Sequence, residues 1–387
     1  MKAQFCPRCG HENPNDAKFC PACGSPRWVE GTDPLHATLL TGRYRLLDKI
    51  DESSVGPLYR AEDRELGRPV AVRLLDPALT LDEAALGQVR SEMQLMGARA
   101  GEQLVPLLDF GRTDEGRLFV VMMSPEGDSL REALDREVQL AVPRVIDILQ
   151  QIAEALRGSH ESGWIHGDLR PKNVRLVPLG SAGATGTGAT RGGGKDIVRL
   201  LDFGLAQLLS GAQSGAASPR LTYGDPHYMA PEQALGEAVD GRADLHALGV
   251  LGYEMLVGEL PFAGAHPGET LERLLSTQRP SARARRPECP EWLDALLQRA
   301  MARRPEERLS SVTQLLGYLG RGGEATPVEL VAERARSGVA PGGEATVRRE
   351  PVSGAAPLVG DPVIVQPEGG PVSGASVVAL AESESAM

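Results

Sequence analysis

From Tyr44 onward the chain alternates short apolar runs with turn residues and later changes to a helical period. YRLLDKI (44–50), GPLYRAED (56–63) and PVAVRLL (69–75) are brief, apolar and turn-bounded, so each predicts a strand. A helix follows over about 81–98, with Thr80 and Glu83 spaced as a capping box. LVPLLDFGRT (104–113) and GRLFVVMM (116–123) predict two more strands. Pro143 then opens a helix that carries Val145, Ile148, Leu149, Ile152 and Leu156 on one face. After Asp202 the pattern is mostly helical, so a sheet-rich part precedes a helix-rich part, with the crossing near 123–130.

The flanks read differently. Residues 28–43 carry Gly31, Pro34 and mixed polar residues and predict a linker. From Arg321 the chain turns Gly/Pro/Ala/Val-rich, with GGEAT repeated at 322 and 342 and PVSGA at 351 and 371. Such a segment buries too little apolar surface to offset its ordering entropy, so 320–387 is predicted to be a disordered tail. The Gly-rich stretch 178–196 sits between two strand-like runs and reads as a loose hairpin tip.

The 387 residues are 41% hydrophobic and 24% charged, an ordinary globular balance with room for two or three domains. Aromatics reach only 4%, while 45 Gly and 29 Pro agree with long loops and a tail. A net charge of −11 argues against a nucleic-acid-binding protein, which usually shows a basic face. No run of 18 apolar residues predicts a membrane span, and MKAQFCPRCG lacks the apolar stretch of a secretion signal. A cytoplasmic chain with reduced thiols is therefore expected. Only five of the 41 basic residues are Lys, an Arg bias that bears on one site below.

Four of the five cysteines form CPRCG (Cys6, Cys9) and CPACG (Cys20, Cys23), a C-x2-C-x10-C-x2-C pattern. Two such turns can bring four thiolates to one tetrahedral Zn2+, and Gly after each pair tolerates the left-handed backbone. A disulfide pair or a redox C-x-x-C is the alternative, which reducing conditions disfavour. Residues 1–27 resemble a zinc ribbon, which implies a structural zinc with all four positions filled. Lys2, Arg8, Lys18 and Arg27 against Glu12 and Asp16 give that module no basic stripe for nucleic acid. Cys289 stands alone and reads as an ordinary semi-buried thiol.

The chemistry lies in IHGDLRPKNV (165–174), DFG (202–204), YMAPE (228–232) and ADLHALG (243–249), in that order. Phosphoryl transfer needs a carboxylate to orient the attacking hydroxyl and oxygen ligands to hold Mg2+ on the phosphates. Asp168, Asn173 and Asp202 supply those groups. Over 44–319 the sequence resembles the serine/threonine protein kinase family. The resemblance implies an α+β, bilobal protein-kinase-like fold, with a small β-rich N-lobe, a helical C-lobe, and ATP and Mg2+ in the cleft. It assigns Asp168 to the catalytic base and Asn173 and Asp202 to the metal ligands, and it pairs Glu92 with the residue at position 73. It places nucleotide contacts at Gly56, Ala71, Arg73, Met123, Asn173 and Asp202. Glu232 and Arg308 match a buried C-lobe ion pair, and Asp244 matches the residue that braces the catalytic loop.

The departures from the family pattern line one pocket. The phosphate loop reads Asp51-Glu52-Ser53-Ser54-Val55-Gly56, so only the last Gly of G-x-G-x-x-G remains, and two acids stand where phosphates would lie. Arg73 replaces the strand lysine, and its larger fork is expected to lock onto Glu92. The Arg bias of the chain is the bland account of that exchange. Pro125 stands where a hinge N–H meets adenine, and Arg175 where an apolar floor lies. Gly167 replaces the arginine that receives an activation-loop phosphate, which argues against Ser214, Ser218 or Thr222 as switches of that kind. Arg170 and Asp225 replace the lysine and threonine beside the base and are expected to bond to each other. Two readings follow. One is a pseudokinase that binds a signalling partner with weak or absent phosphotransfer, which the departures favour. The other is an active ATP-dependent kinase of protein substrates, which Asp168, Asn173 and Asp202 keep open.

Overall fold

Apolar alternation in the first half of the chain builds one antiparallel sheet. The computed structural model describes residues 4–5, 12–13, 35–77, 79, 81–99, 103–178, 196–212, 224–276 and 278–322. Strands β1 (Gln4–Phe5) and β2 (Glu12–Asn13) pair with each other, Gln4 opposite Asn13, and form a separate small ladder. The four cysteines beside them lie outside the described residues, as do 179–195, Ser214, Ser218, Thr222 and 323–387. The main sheet contains β3 (Leu39–Leu40), β4 (Tyr44–Asp51), β5 (Leu58–Asp63), β6 (Arg68–Leu74), β7 (Leu107–Arg112) and β8 (Leu118–Met123), ordered β3-β4-β5-β6-β8-β7. The end of the predicted linker therefore joins the sheet, with Leu40 opposite Tyr44.

β6 shows why this sheet frames a cleft. Side chains alternate across a strand. Val70, Val72 and Leu74 enter an apolar cluster with Leu46, Tyr59, Phe119 and Val121. Ala71, between them, meets Leu58, Val105, Met122 and Leu201 in a second cluster. The strand is thus buried on both faces, and Arg73 comes with it, fully buried. Between β6 and β7 runs α1 (Glu83–Arg99), with Leu86, Val89 and Met93 in the core. Its first turn is capped by Asp82, whose carboxylate accepts from the Ala85 N–H at 2.8 Å. The predicted cap, Thr80, lies outside the described residues.

After β8 the chain crosses to the helical lobe through β9 (Asp128–Ser129) and α2 (Leu130–Glu137). Ser129 and Glu132 form a full capping box: the Ser129 side chain accepts from the Glu132 N–H, and Glu132 accepts from the Ser129 N–H. Helix α3 (Val142–Glu161) buries the predicted face of Val145, Ile148, Leu149, Ile152 and Leu156. A 3-10 turn (Pro171–Asn173) leads into β10 (Val174–Pro178), which pairs with β11 (Asp196–Leu200). The lobe continues through α4 (Leu205–Ala212), α5 (Pro231–Ala234), α6 (Arg242–Val257) and α7 (Pro267–Ser276). It ends in α8 (Ala282–Arg285), α9 (Glu291–Ala300) and α10 (Val312–Arg321). α6 is buried all round and packs on α3 and α9, so it is the axis of this core. Cys289 is buried with a free thiol, and burial pushes its pKa up to about 11. Among the described residues no helix is long and apolar enough to cross a membrane.

Candidate active site

The segment that carries Asp168 and Asn173 is held from below by one carboxylate. Asp244, at the start of α6, accepts from the backbone N–H of His166 at 2.8 Å and of Gly167 at 2.9 Å. His160 Nε2 lies 2.8 Å from the same oxygen, Oδ2, that accepts from His166. Burial works to raise the Asp244 pKa, but His160 and these N–H groups hold it below the ordinary Asp range. The brace expected from the sequence is therefore in place. It aims Asp168, whose backbone O accepts from Asn173 Nδ2 at 2.8 Å and whose Oδ2 lies 3.2 Å from the same nitrogen. Burial pushes the Asp168 carboxyl above the usual range, against the pull of Arg170 and His166. The Asp225 N–H approaches Asp168 Oδ1 at 3.3 Å. A small cavity lined by Asp168, Gly224, Asp225, Tyr228 and Gln233 lies beside this carboxylate.

Asp202 is a non-Gly residue in the left-handed region, at φ 56°. Both its oxygens face Arg73, which donates from Nε to Oδ1 at 3.1 Å and from Nη2 to Oδ2. The remaining guanidinium nitrogen, Nη1, donates to Ser53 Oγ at 2.9 Å and to the Gly56 carbonyl at 2.6 Å. This overturns the expected lock on Glu92. Arg73 and Glu92 make no ion pair, and Glu92 accepts from Gln88 Nε2 on the same helix at 2.8 Å. The reason is reach: β6 points Arg73 into the cleft, where Asp202 offers two buried oxygens.

The acids of the phosphate loop are also answered. Asp51 bonds Arg170 Nη2 at 2.5 Å and Lys172 Nζ at 2.7 Å. Burial favours its neutral form, but Arg170, Arg73 and Lys172 outweigh this and hold the pKa low. Glu52 meets Lys49 at 2.9 Å on the exposed side. The expected repulsion is thus largely neutralised, at the cost of tying the loop to the catalytic segment. Arg170 takes Asp51 and, at 3.4 Å, Asp168, so it does not form the expected pair with Asp225. Asp225 instead holds His227 Nδ1 at 2.8 Å. Gly56 has φ +126°, and a Cβ there would stand 2.0 Å from the Leu74 carbonyl oxygen. Its N–H already donates to Ser53 O at 2.9 Å. Close packing on β6 is therefore reason enough for this glycine.

On the base side of the cleft, Ala71 packs with Leu58, Val105, Met122 and Leu201. Met123 is 44% exposed, and its N–H donates to the Pro106 carbonyl at 3.0 Å. Pro125 brings no N–H to the hinge. Arg175 is drawn to the hinge end, where its guanidinium donates to the Gly127 carbonyl and lies 3.8 Å from Glu132. Burial lowers its pKa.

Two features escaped the sequence. Glu254 accepts from Tyr228 Oη and from Arg131 Nη1, each at 2.6 Å, joining α2, the segment before α5, and α6. Ser54 Oγ accepts from the Gly224 N–H at 2.9 Å, across 170 residues of chain. No local pattern marks either contact. The Glu232–Arg308 pair matches expectation, with both N–H···O bonds at 2.6 Å and both side chains buried.

The residues fit the implied groups unevenly. Asn173 Oδ1 is buried without a hydrogen-bond partner, as a cation ligand would be. Asp202, its intended partner, is committed to Arg73. Four thiolates suit zinc by donor chemistry, and no cluster of metal-ligating side chains occurs among the described residues.

Comparison with known proteins follows the same division. The protein kinase domain family matches residues 44–318, and the zinc-ribbon domain family matches 5–27. The chain is 32% identical over 332 residues to the serine/threonine-protein kinase Pkn1 of Myxococcus xanthus, covering 86% of this chain and 45% of that protein. It is 31% identical over 284 residues to pkn3 of the same organism, covering 72% of this chain and 50% of that protein. The chain thus spans about half the length of these curated relatives. Among solved structures, the kinase domain of Mycobacterium tuberculosis PknI, as a double mutant, superposes with a TM-score of 0.56 at 23% identity. That match covers 75% of this chain and 99% of the other and speaks to the fold.

Proposed function

The chain belongs to the protein kinase family, and from that premise we propose that it is a signalling protein whose phosphotransfer is weak or absent and whose main role is to bind a protein partner. The observation that carries this reading is the guanidinium of Arg73, fully buried and forked onto Asp202. A carboxylate spent on a fixed guanidinium is not available to a metal–phosphate complex. The missing hinge N–H at Pro125 and the loop tied down through Asp51 act in the same direction.

A second reading, an active ATP-dependent serine/threonine kinase, draws on Asp168 and Asn173. They are held in a braced loop, and Asn173 keeps one buried oxygen without a hydrogen-bond partner. In that reading Mg2+ supplies charge neutralisation on the phosphates. Asn173 and Asp202 would hold it, and Asp168 would orient the acceptor hydroxyl and take its proton. Arg73 and Glu92 would then have to exchange partners. Nucleotide contacts at Gly56, Ala71 and Met123 belong to the same reading. Radiolabel transfer from ATP to a generic basic protein decides between the two, with Asp168→Asn as control. Transfer by wild type that the variant lacks would overturn the first reading.

We place the zinc ribbon at 1–27 as a small closed module with Cys6, Cys9, Cys20 and Cys23 on one structural zinc, and the site of action in the cytoplasm. One zinc per full chain after chelator-free purification is the expected content, and below about half an equivalent the tetrahedral site is rejected.

A further inference from the structure

The carboxylate that the family resemblance assigns to a divalent metal, Asp202, already has a cation on it, Arg73. We infer that Arg73 takes the metal's place on Asp202 and ties the phosphate-loop segment to it, so that the chain's own side chain occupies the carboxylate a metal would use. This rests on the reading above that phosphotransfer is weak or absent, and extends it to metal and loop.

The geometry assigns every arm of the guanidinium. Two nitrogens serve the two oxygens of Asp202, and the third serves Ser53 Oγ and the Gly56 carbonyl. One side chain therefore bridges the residue before Phe203 to both ends of the loop turn 53–56. A lysine has a single nitrogen and cannot span those four acceptors. Metal chemistry at Asp202 meets two obstacles: its oxygens are taken, and an arriving divalent ion faces a buried positive charge in low dielectric. Asn173 Oδ1 remains, and one ligand does not hold a hard cation.

The loop has two further fasteners on the opposite lobe. Asp51 is clasped by Arg170 and Lys172 from the catalytic segment, and Ser54 Oγ receives the Gly224 N–H. Around the cleft Arg73, Arg170 and Lys172 pair with Asp51, Asp168 and Asp202, and Asp225 beside them pairs with His227. In a kinase cleft that leaves its carboxylates free, the balance is completed from outside, by metal and phosphate. Here it closes within the chain.

The test uses the full chain and Mn2+ as probe, followed by loss of the free-ion EPR signal, on wild type, Arg73→Met, Arg73→Lys and Asp202→Asn. Wild type is expected to show no uptake at millimolar Mn2+ that Asp202→Asn removes. Arg73→Met is expected to show saturable uptake with a midpoint roughly a hundredfold or more below the highest Mn2+ concentration at which wild type shows none, the scale of releasing one partner of a buried pair. That uptake should vanish in the Arg73→Met, Asp202→Asn double variant. Arg73→Lys keeps the charge and guards against misfolding. It should gain part of the uptake, with faster amide hydrogen exchange over 51–56. Saturable wild-type uptake abolished by Asp202→Asn overturns the inference, as does a folded Arg73→Lys with neither gain. Transfer of label without such uptake sinks the proposed function alone, and uptake without transfer sinks this inference alone.

Discussion

Asp51 of β4 and Arg170 of the catalytic segment stand 119 residues apart in sequence and 2.5 Å apart in the fold. Their side chains are 8% and 5% exposed, so the pair acts in low dielectric. Asp51→Asn removes the charge and keeps the shape. It is expected to cost about 3 kcal/mol in urea unfolding, the low end for breaking a buried pair, because Arg170 keeps Asp168 as neighbour. Amide exchange over 51–56 should rise with it. An unchanged exchange pattern would mean that the loop is held by other contacts.

Arg308 and Glu232 share two bonds of 2.6 Å with both side chains buried. Glu232→Gln should destabilise the chain by about 3–5 kcal/mol, since it leaves a guanidinium buried without its counter-charge. The check is chemical denaturation. A loss under about 1 kcal/mol, the scale of an exposed pair, would contradict the burial of this site.

Ser129 and Glu132 fasten the first turn of α2 beside the hinge. Ser129→Ala is expected to cost about 1 kcal/mol, as capping residues do, and leave the fold intact. Thermal unfolding resolves it, and the companion Glu132→Ala should show the same sign. No loss in either variant would remove the capping box from the account of this junction.

His227 and Asp225 form a pair beside Asp168. The bond to Asp225 raises the His227 pKa, with burial opposing. A raised folded pKa means the contribution is complete below the unfolded value of about 6.5 and disappears as pH climbs through the folded value. Asp225 is shifted the other way: burial would raise its pKa, but His227 lowers it, so its share is lost as pH falls below the ordinary Asp range. Wild type should therefore exceed His227→Gln in melting temperature below about pH 6.5, with the gap narrowing as pH rises above it. A gap independent of pH would assign the residue a packing role only.

The elements were legible because their signals are local. The strands over 44–75 and 104–123, the α3 face and the lobe order follow from periodicities that need no distant partner. At the start of α1 the Asp82 carboxylate caps the Ala85 N–H, a contact that several nearby polar residues could have made and that no periodicity singles out. The ordered motifs around Asp168, Asn173, Asp202 and Asp244 were equally plain, since the chemistry needs those residue types at those spacings.

What the sequence by itself determined is therefore the kinase-family fold, the braced catalytic loop, the buried Glu232–Arg308 pair, and a pocket altered at Asp51, Arg73, Pro125 and Arg175. What only the tertiary structure decided is who neutralises whom. Arg73 chose Asp202 over Glu92, and Arg170 chose Asp51 over Asp225. The physical reason is that Coulomb energy depends on distance and burial in space. Periodicity reports neither for residues more than a hundred positions apart.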